Sequence, residues 1–304
     1  MWREFPEKNG VFMRNARLLV AVVSAAILLA TTTAASASAA PRIHHYVALG
    51  DSYTSGPFIP VQRTDPLGCG RSTANYPSVL ADALHVGDFD DVSCGGADTT
   101  NMTRPQSVPF NGTNPPQLSA LRIDTDLVTV GIGGNDFGVF GTVISTCPGL
   151  RAGDPTGNPC EEHFTANGVN TVKTAIGTIV PRVEAVLAAV HQRSPGARVL
   201  VVGYPRIAPP SGYCPDVLPF ADGDYAWLNE VEQDLNQALG NAVAADGNAT
   251  YVDTFGPSRG HDACARGGSA WINGKDQNIF VAAAYHPLKA GMAGVAAVVL
   301  KQVR

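Results

Sequence analysis

Four short stretches of the chain carry residues able to do covalent chemistry. In the first, the apolar run Tyr46-Val47-Ala48-Leu49 breaks into Gly50-Asp51-Ser52. A strand that stops at a glycine and is followed at once by a serine sets that hydroxyl on the carboxyl edge of a sheet, where α/β proteins hold their chemistry. Ser52 is therefore a candidate nucleophile, with an ordinary strand-to-loop turn as the competing reading. The second stretch is Cys94-Gly95-Gly96-Ala97. Its adjacent glycines let the backbone approach a ligand closely and point an N–H outward, as an anion hole requires. The third is Gly133-Gly134-Asn135-Asp136, after the buried-strand candidate Leu127 to Ile132. The phosphate-loop spacing Gly-x-Gly-x-x-Gly fails there because position 136 is Asp, and Asn135 instead offers a side-chain N–H donor. The fourth is Tyr285-His286-Pro287. A histidine at a helix start is commonly a surface residue, but at an edge shared with a serine it is a candidate general base. Together these are the parts of acyl transfer: a nucleophile, a base and two donors for a developing oxyanion.

The elements that must position them alternate. Strands are expected at Tyr46 to Leu49, near Val92 and Ser93, at Leu127 to Ile132, at Arg198 to Gly203 and at Thr250 to Asp253. Helices are expected at Tyr76 to Leu84, at Val169 to Arg193 with a kink at Pro181, at Asp224 to Ala245 and at Leu288 to Val303. The segments Thr103 to Pro116 and Cys147 to Cys160 read as loops from their Gly, Pro, Asn and Asp content. Five apolar strands alternating with helices imply an α/β fold: a three-layer α/β/α sandwich around a five-stranded, mostly parallel sheet. No second core, repeat or linker is evident, so residues 41–304 are expected to form a single domain.

Residues 1–40 stand apart. Leu18 to Ala30 is an apolar run of roughly 13 residues preceded by Arg14 and Arg17, shorter than the ~20 needed to span a bilayer. Small residues follow, with Ala35-Ser36-Ala37 and Ala37-Ser38-Ala39 as cleavage candidates, and Met13 is a candidate initiator. This is the pattern of a secretory signal peptide, so the expected location is secreted and extracellular, without stable membrane insertion. Removing residues 1–40 takes away four cations (Arg3, Lys8, Arg14, Arg17) and two anions (Glu4, Glu7), moving the net charge from −5 to −7. An acidic surface disfavours polyanions, so nucleic acid is not an expected partner.

Six cysteines, Cys69, Cys94, Cys147, Cys160, Cys214 and Cys264, all lie in the exported part. An even count in an oxidising compartment points to three disulfides stapling the loops, and sequence does not choose among the possible pairings. The least entangled choice is sequential. No Cys-x-x-Cys or His-Glu-x-x-His spacing supports a metal site, and no cofactor is implied.

In their order along the chain, Gly50-Asp51-Ser52, Gly96, Gly134-Asn135-Asp136 and His286 resemble the four blocks of the SGNH hydrolase superfamily, also called GDSL lipases and esterases. The disulfide-closed loops and export signal are similar to its secreted actinobacterial lipase and esterase branch. The resemblance implies a flavodoxin-like SGNH fold in which Ser52 is the nucleophile and the first oxyanion donor through its N–H. It implies Gly96 as the backbone donor, with Gly95 second, Asn135 as the side-chain donor and His286 as the base. One position departs: the family commonly has an aspartate three residues before the histidine, where this chain has Ala283. Some secreted members resemble the present case with a backbone carbonyl instead, so the Ala283 carbonyl is expected to hold His286. Asp276, Asp262 and Asp253 are the alternatives from other loops.

The implied activity is that of a monomeric serine esterase or lipase acting on small-molecule or lipid carboxylic esters through an acyl-enzyme. A phospholipase or a carbohydrate acetyl esterase on the same machinery is the alternative, with a non-catalytic binding module behind both. Phe58, Ile59, Phe110, Phe137 and Phe140 flank the blocks and are candidates for an acyl pocket.

Overall fold

The computed structural model describes residues 42–304; the expected signal peptide, residues 1–40, lies outside the described residues. In chain order the elements are β1 (His45–Gly50), α1 (Ser52–Ser55), α2 (Tyr76–Leu84), β2 (Asp88–Asp91), β3 (Gln106–Val108), β4 (Gly112–Asn114), β5 (Leu127–Gly131) and α3 (Val139–Leu150). They continue with α4 (Pro159–His163), β6 (Thr165–Ala166), β7 (Val169–Asn170), α5 (Thr171–Gly177), α6 (Val180–Arg193), β8 (Arg198–Val202), α7 (Asp224–Asp246), β9 (Ala249–Val252) and α8 (Lys289–Val303). Pro41–Arg304 gathers into one compact unit.

Five strands form one sheet in the order β2-β1-β5-β8-β9, every neighbouring pair parallel. The alternation of side chains along a strand decides what each face buries. On β1, Tyr46 and Ala48 join Leu200 and Val202 of β8 against α2 and α8, where Leu80, Val295 and Val299 pack. Val47 and Leu49 point the other way with Val199 and Val201, against α6 and α7. Buried on both faces, these strands read as continuous apolar runs, which is why they were legible. The chain runs outward from β1 to β2, then crosses back over β1 to β5. That reversal leaves a crevice at the carboxyl ends of β1 and β5, where such sheets bind ligands.

The structure differs from the sequence expectation in three places. The expected single helix from Val169 to Arg193 is two, α5 and α6, separated at Thr178 and Ile179. Pro181 cannot donate to a carbonyl one turn back, so it sits in the first turn of a new helix. The expected loop from Cys147 opens inside a helix, because α3 runs on through Cys147 and Pro148 to Leu150. The loop expected from Thr103 to Pro116 contains the β3–β4 hairpin.

The disulfides join Cys69 to Cys94, Cys147 to Cys160 and Cys214 to Cys264. The first anchors the segment leading into Gly95 and Gly96. There the Gly95 N–H donates to the Cys69 carbonyl at 2.8 Å.

Candidate active site

Ser52 begins the four-residue helical turn α1 directly after β1. The turn is fixed at both ends. The Asp51 carboxylate accepts from the Tyr53 N–H at 2.8 Å, and Gly56 closes it in the left-handed conformation. Gly50 cannot carry a side chain, because a Cβ there would overlap the Thr54 side chain and lie 2.7 Å from the Gly131 carbonyl oxygen. A residue not anticipated from sequence, Gln117, holds the same point. Its buried amide accepts from the Gly50 N–H at 2.7 Å and donates to the Gly50 carbonyl at 2.8 Å. The strand end is thus held on both backbone groups just before Asp51 and Ser52.

The structure brings His286 to Ser52, with Nε2 2.8 Å from Oγ. On the far side of the ring, Nδ1 lies 2.7 Å from the carbonyl oxygen of Ala284. A carbonyl can only accept, so Nδ1 carries the proton and donates to it, and the Nε2 lone pair faces the serine hydroxyl. Burial holds the imidazole below its usual pKa, opposed in part by the bond to Ala284, and the neutral base is favoured.

The expectation that Ala283 would hold the ring is corrected here. The Ala283 carbonyl is occupied, accepting from Asn273 Nδ2 at 3.0 Å and from the His286 backbone N–H at 3.4 Å. Between Ala284 and His286, Tyr285 adopts a left-handed conformation (φ 59°), which turns the Ala284 carbonyl back toward the ring. Such a conformation costs a non-glycine residue roughly 1–2 kcal/mol. It is held by the Tyr285 N–H donating to the Gly274 carbonyl at 3.0 Å and by Tyr53 Oη donating to the Tyr285 carbonyl at 2.6 Å. The three acids considered as alternatives are engaged elsewhere: Asp276 with Lys275, Asp262 with the Cys264 N–H and Asp253 with the Gly256 N–H.

The two residues expected to serve as further oxyanion donors, Gly96 and Asn135, lie after β2 and β5. Gly96 is in the left-handed conformation (φ 74°). Because the Gly95 N–H is already bonded to Cys69, Gly96 is the one of the two whose N–H has no protein acceptor among the described residues. Asn135 Nδ2 donates one hydrogen to the Ala97 carbonyl at 2.9 Å, which fixes the amide plane and leaves its second hydrogen for a ligand. Buried Asp136 ties the two loops together, accepting from the Thr99 N–H (3.0 Å), Thr99 Oγ1 (2.6 Å) and Arg182 (3.0 Å).

An apolar cleft opens at Ser52. One wall is α3, through Val139, Phe140, Val143 and Ile144; the other is α7, through Leu228, Val231, Glu232 and Leu235 at helical spacing. Of the five apolar residues named from sequence, Phe140 alone lines it. Ile59 is buried against the α2–α8 side of the sheet, while Phe110 and Phe137 are exposed and Phe58 lies outside the lining. The helix α3 was missed because Gly141, Pro148 and Gly149 mask its apolar spacing. Tyr53, Gln117 and Tyr204 carried no local signal, since an isolated buried polar side chain is defined by what lies across the fold from it.

Known proteins similar to this chain point to one family. Residues 48–293 match the model of the GDSL-like Lipase/Acylhydrolase family. The chain is 41% identical over 232 residues to Lipase 2 of Streptomyces coelicolor, covering 75% of each chain. It is 32% identical over 257 residues to a lipase of Streptomyces rimosus, covering 83% of this chain and 85% of that one. Among solved structures, phospholipase A1 from Streptomyces albidoflavus superposes with a TM-score of 0.69 at 29% identity, covering 86% of this chain and 98% of that one. The extracellular lipase from Streptomyces rimosus does so with a TM-score of 0.70 at 27% identity, covering 85% and 99%. With the family match, the relatives and the fold in accord, the chain belongs to the GDSL-like lipase/acylhydrolase family and is an ester hydrolase.

Proposed function

We propose that this ester hydrolase is an exported, monomeric serine esterase or lipase that works through a Ser52–His286 dyad. The observation that carries the reading is the His286 ring, bonded to the Ala284 carbonyl through Nδ1 and facing Ser52 Oγ through Nε2. His286 takes the Ser52 proton as Oγ attacks the ester carbonyl. The tetrahedral oxyanion is held by the N–H groups of Ser52 and Gly96 and by the Asn135 amide, each donor of this kind contributing ~3–4 kcal/mol in known cases. His286 then protonates the leaving alcohol, and a water activated by the same nitrogen releases the acid.

The apolar walls of the cleft fit a hydrocarbon acyl chain. The close superposition on a phospholipase A1 supports a phospholipid as the second substrate reading. Three disulfides and the amino-terminal segment support export.

The test is hydrolysis of p-nitrophenyl esters from acetate to palmitate and of a diacyl phosphatidylcholine by wild type and Ser52→Ala. The expected result is activity favouring acyl chains longer than acetyl, abolished in the variant with its thermal midpoint retained. Undiminished turnover by Ser52→Ala overturns the mechanism.

A further inference from the structure

Tyr204 follows β8 and is almost wholly buried behind the nucleophile. Its hydroxyl donates to Asp51 Oδ2 at 2.5 Å and accepts from the Gly134 N–H at 2.9 Å. Asp51 immediately precedes Ser52, and Gly134 immediately precedes Asn135. One oxygen atom therefore spans the loop that carries the attacking hydroxyl and the loop that carries the side-chain oxyanion donor. The Tyr204 ring also meets the Tyr53 ring edge-on, with centroids 5.3 Å apart. Tyr53 in turn donates to the Tyr285 carbonyl and lies 5.3 Å from the His286 ring.

We propose that Tyr204 is a positioning residue of the oxyanion hole, setting the distance between the Ser52 and Asn135 donors through Asp51 and Gly134. An oxyanion hole works only when its donors already converge on one oxygen, and misplacement by about 1 Å can cost a hundredfold in rate. The bonds around Tyr204 are saturated. Asp51 Oδ1 is taken by the Tyr53 N–H, and the Gly134 N–H makes no other bond among the described residues. Removing the hydroxyl would leave a buried carboxylate oxygen and a buried N–H without partners, and the loops would have to move to satisfy them.

The protonation chemistry is consistent with this geometry. Burial raises the Asp51 pKa to about 7, and buried Asp136 pushes the same way, while the Tyr204 and Tyr53 bonds oppose them. A proton on Oδ2 would point at the tyrosine oxygen and strand the tyrosine's own hydrogen. The bond from Tyr204 therefore favours the ionised, acceptor form of Asp51 and offsets part of the rise that burial imposes.

The proposal rests on the serine-esterase reading, and its test separates the two. The variants are Tyr204→Phe, Asp51→Asn and the double replacement. The readouts are kcat and KM on p-nitrophenyl butyrate, affinity for butylboronic acid as a tetrahedral mimic, and thermal midpoint. Each single variant is expected to lose about ten- to a hundredfold in kcat, with KM changed less than about twofold. Boronate affinity should fall by the factor lost in kcat, and the double variant should be no worse than the poorer single one. Wild-type kcat in both singles, a loss carried by KM alone, or losses that multiply in the double variant would each overturn the proposal. Should Tyr204→Phe fail to fold, Asp51→Asn, which keeps the side-chain shape, decides on the same criteria. A wild-type Ser52 that a fluorophosphonate does not label overturns the serine-esterase reading itself, whatever the variants do.

Discussion

The His286 ring is held by the carbonyl of Ala284, two residues earlier in its own chain, at 2.7 Å from Nδ1. A carbonyl dipole can fix the tautomer as an aspartate does, but it brings no full negative charge to the imidazolium that forms in the transition state. The imidazole is therefore oriented by a local turn, with no carboxylate bonded to it among the described residues.

It follows that no carboxylate should behave as a third catalytic member. Asp253→Asn, Asp262→Asn and Asp276→Asn are each expected to keep kcat/KM within about threefold of wild type, whereas losing the acid of a true triad costs about 10⁴ in kcat. The measurement is initial-rate kinetics on a soluble ester, and a hundredfold loss in any of the three contradicts the dyad.

In the proposed dyad the neutral imidazole is the active form, and burial lowers the His286 pKa. The activity lost on acidification should therefore have its midpoint below the ordinary histidine value of about 6.5, not above it. A titrated acid limb of kcat/KM at pH 7 or higher would mean that a carboxylate raises the histidine after all.

Stability should run opposite to the usual carboxylate pattern. Asp51 is raised to about 7 and Glu232 to about 8, both chiefly by burial. Between the unfolded value near 4 and these folded values, the native state holds protons that the unfolded chain releases, so stability falls as pH rises through that window. His286, lowered in the fold, works the other way, but only near and below its ordinary pKa. The thermal midpoint is expected to drop between pH 5 and pH 8, and Glu232→Gln should flatten that slope. A midpoint that climbs steadily to pH 8 would show both carboxyls ionised at no cost.

What the sequence disclosed about the site follows the physics of each part. Ser52, Gly96, Asn135 and His286 were nominated by their order at three strand ends and a helix start, since each stretch alone also reads as a turn or a surface residue. Ala284 was misplaced by one residue, to Ala283, because the left-handed turn at Tyr285 is not written in a tyrosine. Gln117 and Tyr204 act on Gly50 and Asp51 from 67 and 153 residues away, separations that no local pattern records. Strands β1, β5 and β8 were legible as buried apolar runs, while the edge strands β2 and β9 are only partly buried. The α3 wall was hidden by helix-unfriendly glycines and a proline, and with it the apolar cleft.

That cleft carries the last expectation. Val143 and Ile144 on α3 face Leu228 and Val231 on α7 across an apolar channel that starts at Ser52. Each methylene buried there should contribute up to about 0.8 kcal/mol, or about fourfold in kcat/KM, until the channel is full. Val143→Trp would fill part of that space without touching the dyad or the oxyanion donors. The expected outcome is an acyl-length profile displaced toward short chains: butyrate hydrolysed nearly as by wild type, and the gain per methylene lost for longer esters. If long and short esters lose activity by the same factor, the channel is not where the acyl chain lies, and the chain must leave Ser52 along another face.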